Sequence, residues 1–476
     1  MSIFYRPEEA WVGDAIPVFD GTYKIYFLAD RRAGGTYGEN TSWDMVETVD
    51  MVRFTEHGTA LPHGTATAPD RNAYTGSVLT DRDGKRHIFY TGHNPDITED
   101  ELPLQVVLHA SSDDGITWEK TSGFALYSKN DRYERHDWRD PFVFWSDEKA
   151  CYIMLVTARL KGASAHTGGC IAALHSHDLV HWEEVEPFFA PDQYITLECP
   201  DYFRMGDWHY LVYSTFSERF VTHWRKARSL DGPWLSVPGD TFDARGCYAL
   251  KTAGEDSGRR FAFGWVPTKK GETDYGPWEW AGTLIAHDIW QDRNGDLFSR
   301  LPEALVGSFS DPAPLDVPFN DDGWRIGRVD GQDRLTLADT PEKCLVETNF
   351  SDWNDAQSFG IALRCDPDFD KGYFIRFEPA FNRMTFDMWP RQEPGEFQWQ
   401  IAGDRPQMVE LERWIDFPAT ARLNLKIVID GDILMANVND RVTMTTRIYN
   451  HRDGKIAAFC NGGGVTVHSP SVKTAP

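Results

Sequence analysis

A repeat of about sixty residues, running through the first 300 positions, restricts what this chain can fold into more than any other feature. The runs KIYFL at 24, HIFYTG at 87, YIMLVTA at 152, YLVYST at 210 and FAFGWV at 261 have the β-branched and aromatic composition of strands. A polar turn precedes each one: FDGTY, DRDGKR, SDEKAC, RMGDW and EDSGRR. Asp-Gly or Gly-Asp between apolar residues signals a hairpin. An aromatic then recurs downstream, at Phe54, Trp118, Trp182 and Trp234, with separations of 64, 64 and 52 residues. A fixed period built of strands and turns, without helical periodicity, indicates a β-propeller, and five units predict five blades. The whole chain of 476 residues is too long for one ordinary core. From about 310 the repeat stops, and alternating segments such as GYFIRFEP and ARLNLKIVIDGDILM predict antiparallel strands. The expected architecture is therefore all-β: a five-bladed propeller over 1–305 and a β-sandwich over 306–476. The sandwich is expected to brace the propeller or to form a homo-oligomer contact, not to bind sugar by itself.

The stretch HDWRDPFVFW, residues 136–145, sets an Arg-Asp couple where a strand begins. Similar strand starts recur. Asp14 lies 11 residues before Ile25 and Ser77 lies 11 before Ile88. Asp140, Glu198 and Tyr248 lie 13 before Ile153, Leu211 and Phe261. In a propeller the innermost strands start at one mouth of the central channel, so equivalent positions converge on the axis. Asp14, Asp140 and Glu198 are expected to share that funnel in register. One Asp at a strand edge is equally a turn residue; three together point to a site. Grouped carboxylates repel and split their pKa values, leaving one as acid and another as nucleophile or base. With no Cys/His metal cluster, the matching chemistry is glycoside hydrolysis. Arg139 would keep a third carboxylate charged, and Trp11, Trp43, Trp265 and Trp280 are candidates for stacking on a sugar.

Other classes recede. A net charge of −25 repels nucleic acid and offers no basic membrane anchor. Seven Cys without CxxC spacing fit neither a zinc site nor a disulfide framework. His63, His136, His175, His177 and His181 lack matching ligand partners, so neither metal nor cofactor is expected. Cys199 is expected to be a packing residue, and Ser77 lacks the elbow of a serine nucleophile. The start, MSIFYRPEEAWVGD, has no basic segment followed by an apolar one, which predicts a cytoplasmic protein without a membrane span. The expected partner is an oligosaccharide or small furanoside.

The motifs WRDPFVF, LECPDYF, YTGSVLTD, GRRFAFGWVP and WAGTLIAHDI, in this order, resemble those of glycoside hydrolase family 32, the β-fructofuranosidases. The resemblance runs from about Trp11 to the C-terminus. It implies a five-bladed propeller followed by a sandwich, and retention of configuration. It further implies Asp14 as nucleophile, Glu198 as general acid/base and Asp140 as transition-state stabiliser. Arg139 would bind furanose hydroxyls beside Asp140, and Ser77, Trp43 and Trp265 would fall in pocket-lining motifs. Tyr248, at the same strand-start position, joins the candidate sugar contacts. The first motif departs from the family's usual Trp-Met-Asn-Asp-Pro-Asn-Gly. Here it reads WVGDAIP, with Gly13 in place of Asn and no Pro-Asn-Gly; a usual Gln is Leu28, with Asp30 close by. Losing these hydrogen bonds implies an unusual fructoside, fructosyl transfer or another furanoside. Two rivals stand beside this reading: an inverting arabinan or xylan hydrolase on a related propeller, and a catalytically idle sugar-binding propeller.

Overall fold

All five predicted runs are strands, each the second strand of an antiparallel blade. The computed structural model describes residues 2–475 except 33–34, 130, 256, 319, 354, 391–409 and 418–421. The innermost strands are Trp11–Phe19, Asn72–Thr80, Tyr133–Ser146, Glu198–Met205 and Tyr248–Gly254, in blades I to V. The predicted polar turns join each of them to its neighbour.

The recurring aromatic has a definite job. Phe54, Trp118 and Trp182 stand just before the outermost strands Thr55–Leu61, Glu119–Lys120 and Glu183–Glu184, and Trp234 stands before the Lys226–Leu235 bridge. A tight turn aims the chain there: Asp114 Oδ1 accepts the backbone N–H groups of Ile116 and Thr117, both at 2.8 Å. Asp50 and Asp178 do the same one unit away on either side. Each aromatic then packs on the preceding blade. Trp118 meets Tyr26, Trp182 meets Phe89, and Trp234 meets Phe188. Phe54 packs on Tyr5, whose backbone bridges to Leu284 in blade V. With the Val12–Gly282 pairing between blades I and V, the ring is closed.

Every innermost strand carries a bulge near the channel: between Val12 and Ala15, Tyr74 and Gly76, Arg139 and Phe142, Glu198 and Asp201, and Tyr248 and Lys251. Bulges re-aim side chains out of the ladder. The three carboxylates sit at different places around theirs. Glu198 is the last paired residue before its bulge, Asp140 the first within, and Asp14 the second within. The expected common register is thus corrected: the counterpart of Asp140 in blade IV is Cys199, and that of Glu198 in blade III is Arg139. Counting back from the second strand misses this because the blade III hairpin pairs Ser146 with Cys151, whereas the blade IV hairpin closes tighter, Met205 on Trp208. Asp140, Cys199 and Ala249 share left-handed backbone, with φ of 54°, 50° and 53°, a conformation unfavourable to residues with a Cβ.

The C-terminal part is two antiparallel sheets facing one apolar core that includes Phe350, Phe359, Ile375 and Ile427. It docks on blades IV and V. Leu345, Val428, Ile433 and Met435 of the sandwich share a core with Trp224, Phe242 and Ile289. Buried polar groups cross the junction. Asp243 accepts from Thr445 N–H and Oγ1, and Arg447 donates to the Val266 and Pro267 carbonyls.

Candidate active site

The bulges open one axial pocket of about 460 Å³. Asp14, Arg139, Asp140, Glu198, Tyr248 and Trp280 line it, as the sequence predicts. So do Leu28, which the motif comparison sets in place of the usual Gln, and Tyr37, Gly38, Tyr74, Thr75, Gln105, Cys199, Phe216 and Phe220, which sequence reasoning leaves out or assigns to packing.

Asp14 receives three donors. Trp265 Nε1 donates to Oδ1 at 3.0 Å, while Thr75 Oγ1 and Cys199 Sγ donate to Oδ2, the thiol at 3.6 Å. Burial pushes its carboxyl up; the Thr75 bond opposes this, the charge of Asp140 adds to it, and the Trp265 and Cys199 bonds pull down again, leaving a raised pKa. Glu198 lies between Arg139 Nη2, at 3.2 Å from Oε1, and the Tyr248 hydroxyl, donating to Oε2 at 2.6 Å. Burial raises Glu198 too; Arg139 opposes, Asp140 adds, Tyr248 opposes and Asp14 adds. Asp140 is pinned by Cys199 N–H at 3.0 Å and Thr157 Oγ1 at 3.4 Å, with Arg139 Nε 3.8 Å away. Burial alone would lower Arg139, but Glu198, Asp140 and Asp137 hold it above its ordinary value. Arg139 is thus a permanent cation among the acids.

Several predicted contacts lie elsewhere. Ser77 is buried in the seam between blades II and III, where its Oγ accepts Val143 N–H. The bulge at Thr75 turns that residue, two positions earlier, to the pocket. Trp43 is fully buried and donates to the Tyr74 carbonyl, so it is core. Trp265 is also fully buried and serves Asp14 from behind; it offers no ring face to a sugar. Trp11 carries the guanidiniums of Arg6 and Arg32 and does not line the pocket. Asp30 is buried and accepts the N–H groups of Arg32 and Gly38, which shapes the loop that brings Gly38 in. Cys199 is more than packing, since it bonds the Asp14 carboxylate through Sγ and Asp140 through N–H. Among the described residues one group offers three close ligand atoms, Asp243, Cys247 and His287. It is buried outside the pocket, and Asp243 there already accepts from Ala244, Thr445 and His287.

With this geometry in place, comparison with known proteins is decisive. Residues 5–300 match the glycosyl hydrolases family 32 N-terminal domain, and residues 325–474 match the family 32 C-terminal domain. The chain belongs to glycoside hydrolase family 32. A raffinose invertase of Escherichia coli is 26% identical over 94% of this chain and 89% of its own length. A sucrose-6-phosphate hydrolase of Escherichia coli is 25% identical over 97% and 91%. Fructan 1-exohydrolase IIa of Cichorium intybus shares the fold, with a TM-score of 0.77 at 17% identity, covering 100% of this chain and 97% of the other. The departure of this family 32 chain at Gly13 now has a physical reason. A Cβ there would lie 2.8 Å from the Trp280 ring and 3.1 Å from Leu28 Cβ. Trp280 takes the space of a side chain at 13, so Gly13, Leu28 and Trp280 form one apolar wall beside Asp14.

Proposed function

We propose that this protein is a retaining, exo-acting hydrolase of β-fructofuranosides that works by double displacement. The observation carrying this is the convergence of Asp14, Asp140 and Glu198 on one buried pocket, each with different partners. An Asp14 oxygen attacks the anomeric carbon. The bond to the leaving oxygen breaks, and Glu198 delivers its proton to that oxygen. Burial equips Glu198 for this by keeping its pKa high. Glu198, now anionic between Arg139 and Tyr248, takes a proton from water, whose oxygen displaces Asp14. Asp140, fixed by Cys199 N–H, faces the positive charge that develops on the ring and accepts furanose hydroxyls. The relatives' names, with invertase and sucrose-6-phosphate hydrolase among them, support the fructoside class. The Leu28–Trp280 wall would hold the sugar through its C–H face, which favours a variant specificity within that class.

The test incubates the enzyme with sucrose, 1-kestose, inulin, levan, difructose anhydrides and nitrophenyl arabinofuranosides, and follows products by NMR. Fructose should appear with retained configuration, and Asp14→Asn should abolish its release. Cleavage of the arabinofuranoside alone, or an inverted product, would overturn the reading.

A further inference from the structure

Lys251 is 2% exposed and takes no part in the steps above. It stands on the innermost strand of blade V, the first paired residue beyond the bulge that starts at Tyr248. Its Nζ donates to the Gly76 carbonyl of blade II at 2.7 Å. Blades II and V are not neighbours in the ring, so this bond crosses the axis. Nζ also lies 5.3 Å from the centre of the Phe142 ring, in blade III. Among the described residues Gly76 is its one hydrogen-bond partner, and no acid forms an ion pair with it. An ammonium taken out of water is costly unless ion pairs or several hydrogen bonds replace its hydration. One carbonyl and one ring do not. Burial accordingly pulls the Lys251 pKa down, while Cys199 and Asp201, both of blade IV, Asp140 of blade III and Asp14 of blade I hold against it. Burial keeps the Cys199 thiol neutral, so the aspartates are the counter-charges. An apolar side chain would brace the channel at less cost, so the charge marks a function.

Two observations point to what it serves. Gly76 follows Thr75, the residue within the blade II bulge whose hydroxyl donates to Asp14. Arg139 lies beside Glu198 and Asp140, whereas Asp14 has only the neutral hydroxyl, thiol and indole of Thr75, Cys199 and Trp265. We propose that Lys251 is a positioning residue for Asp14. By holding the Gly76 carbonyl it fixes the bulge that presents Thr75, and from behind the pocket its positive charge favours the ionised carboxylate. The proposal rests on the reading of Asp14 as nucleophile.

The test follows the pH profile of kcat/KM on sucrose and 1-kestose for Lys251→Met, Thr75→Val and the double variant, each checked for folding by circular dichroism. Methionine is close to lysine in length but has neither donor nor charge. The acidic limb reports ionisation of the nucleophile. Loss of a nearby cation leaves a carboxyl pKa higher, so in Lys251→Met the limb should move up by about one pH unit, the low end of what a near opposite charge supplies. On the plateau above the limb kcat should fall roughly tenfold with KM little changed, the worth of one hydrogen bond to a charged group. The double variant should lose about as much as either single variant, because the two residues act in series. A limb that stays in place, or losses that multiply in the double variant, overturns the proposal; a merely structural lysine would lower stability and leave both untouched. The reciprocal measurement needs neither turnover nor a change at Lys251. In Asp14→Asn the Lys251 ammonium, followed by NMR of isotope-labelled lysine, should titrate at lower pH than in wild type, because the coupling of two charges acts equally on both. An unshifted lysine ends the proposal. This measurement decides if Lys251→Met does not fold, or if wild type cleaves no fructoside, a result that overturns the fructosidase reading separately.

Discussion

Asp14 takes its three donors from three blades: Thr75 from II, Cys199 from IV and Trp265 from V. Its orientation therefore depends on the ring as a whole more than on its own strand. Glu198 has a more local clamp, and one bond of it can be removed cleanly. The Tyr248 hydroxyl stabilises the Glu198 anion and so opposes the rise caused by burial. In Tyr248→Phe the Glu198 pKa should climb further, which moves the alkaline limb of the kcat/KM profile to higher pH. A limb that stays in place, or moves down, would take Glu198 out of the acid role. The carboxylates themselves were legible in the sequence because each lies 11 or 13 residues before a recurring apolar strand residue, although Asp140 proves to stand in the middle of Tyr133–Ser146 and not at a strand start. Their neighbours were not. Ser77 and Thr75 differ by one local bulge, and no hydropathy pattern distinguishes a ring that lines a pocket, such as Trp280, from one that backs it, such as Trp265.

The blade is the unit whose period the sequence displays, and the stitching aromatic explains why. In the first three blades it reaches the preceding blade from the same point of the same turn, four residues after Asp50, Asp114 and Asp178, so its spacing there is a constant 64 residues. Trp118 is buried between Tyr26 and the turn held by Asp114. Trp118→Ala should destabilise the protein by about 3–5 kcal/mol, read by urea unfolding. A change under about 1 kcal/mol would show that blades I and II are held by their other contacts. The bulges escaped notice at this scale because they differ by one residue, less than the variation in hairpin length between blades III and IV.

For the whole molecule, the sandwich is bound by groups far apart in sequence. Asp243 and Thr445 are 202 residues apart, yet Asp243 accepts two bonds from Thr445 and one from His287. This was invisible in the sequence, where neither residue belongs to a motif, although the sandwich's strands were plain from their alternation. Removing the acceptor strands buried donors on both sides. Asp243→Ala should cost about 3–5 kcal/mol, and propeller and sandwich should still unfold in one transition followed by fluorescence. Two separated transitions in the wild type would show the junction to be weaker than its buried network indicates.

The closed ring also has a consequence for biosynthesis. The strand that carries Asp14 is made before the other blades, but the indole that clamps it, Trp265, is 251 residues behind, and the seam partner Gly282 comes later still. Domains generally form as units during synthesis, yet blade I alone presents an acid without its donors. Asp14 is thus expected to gain its full set of donors only once translation has passed the fifth blade.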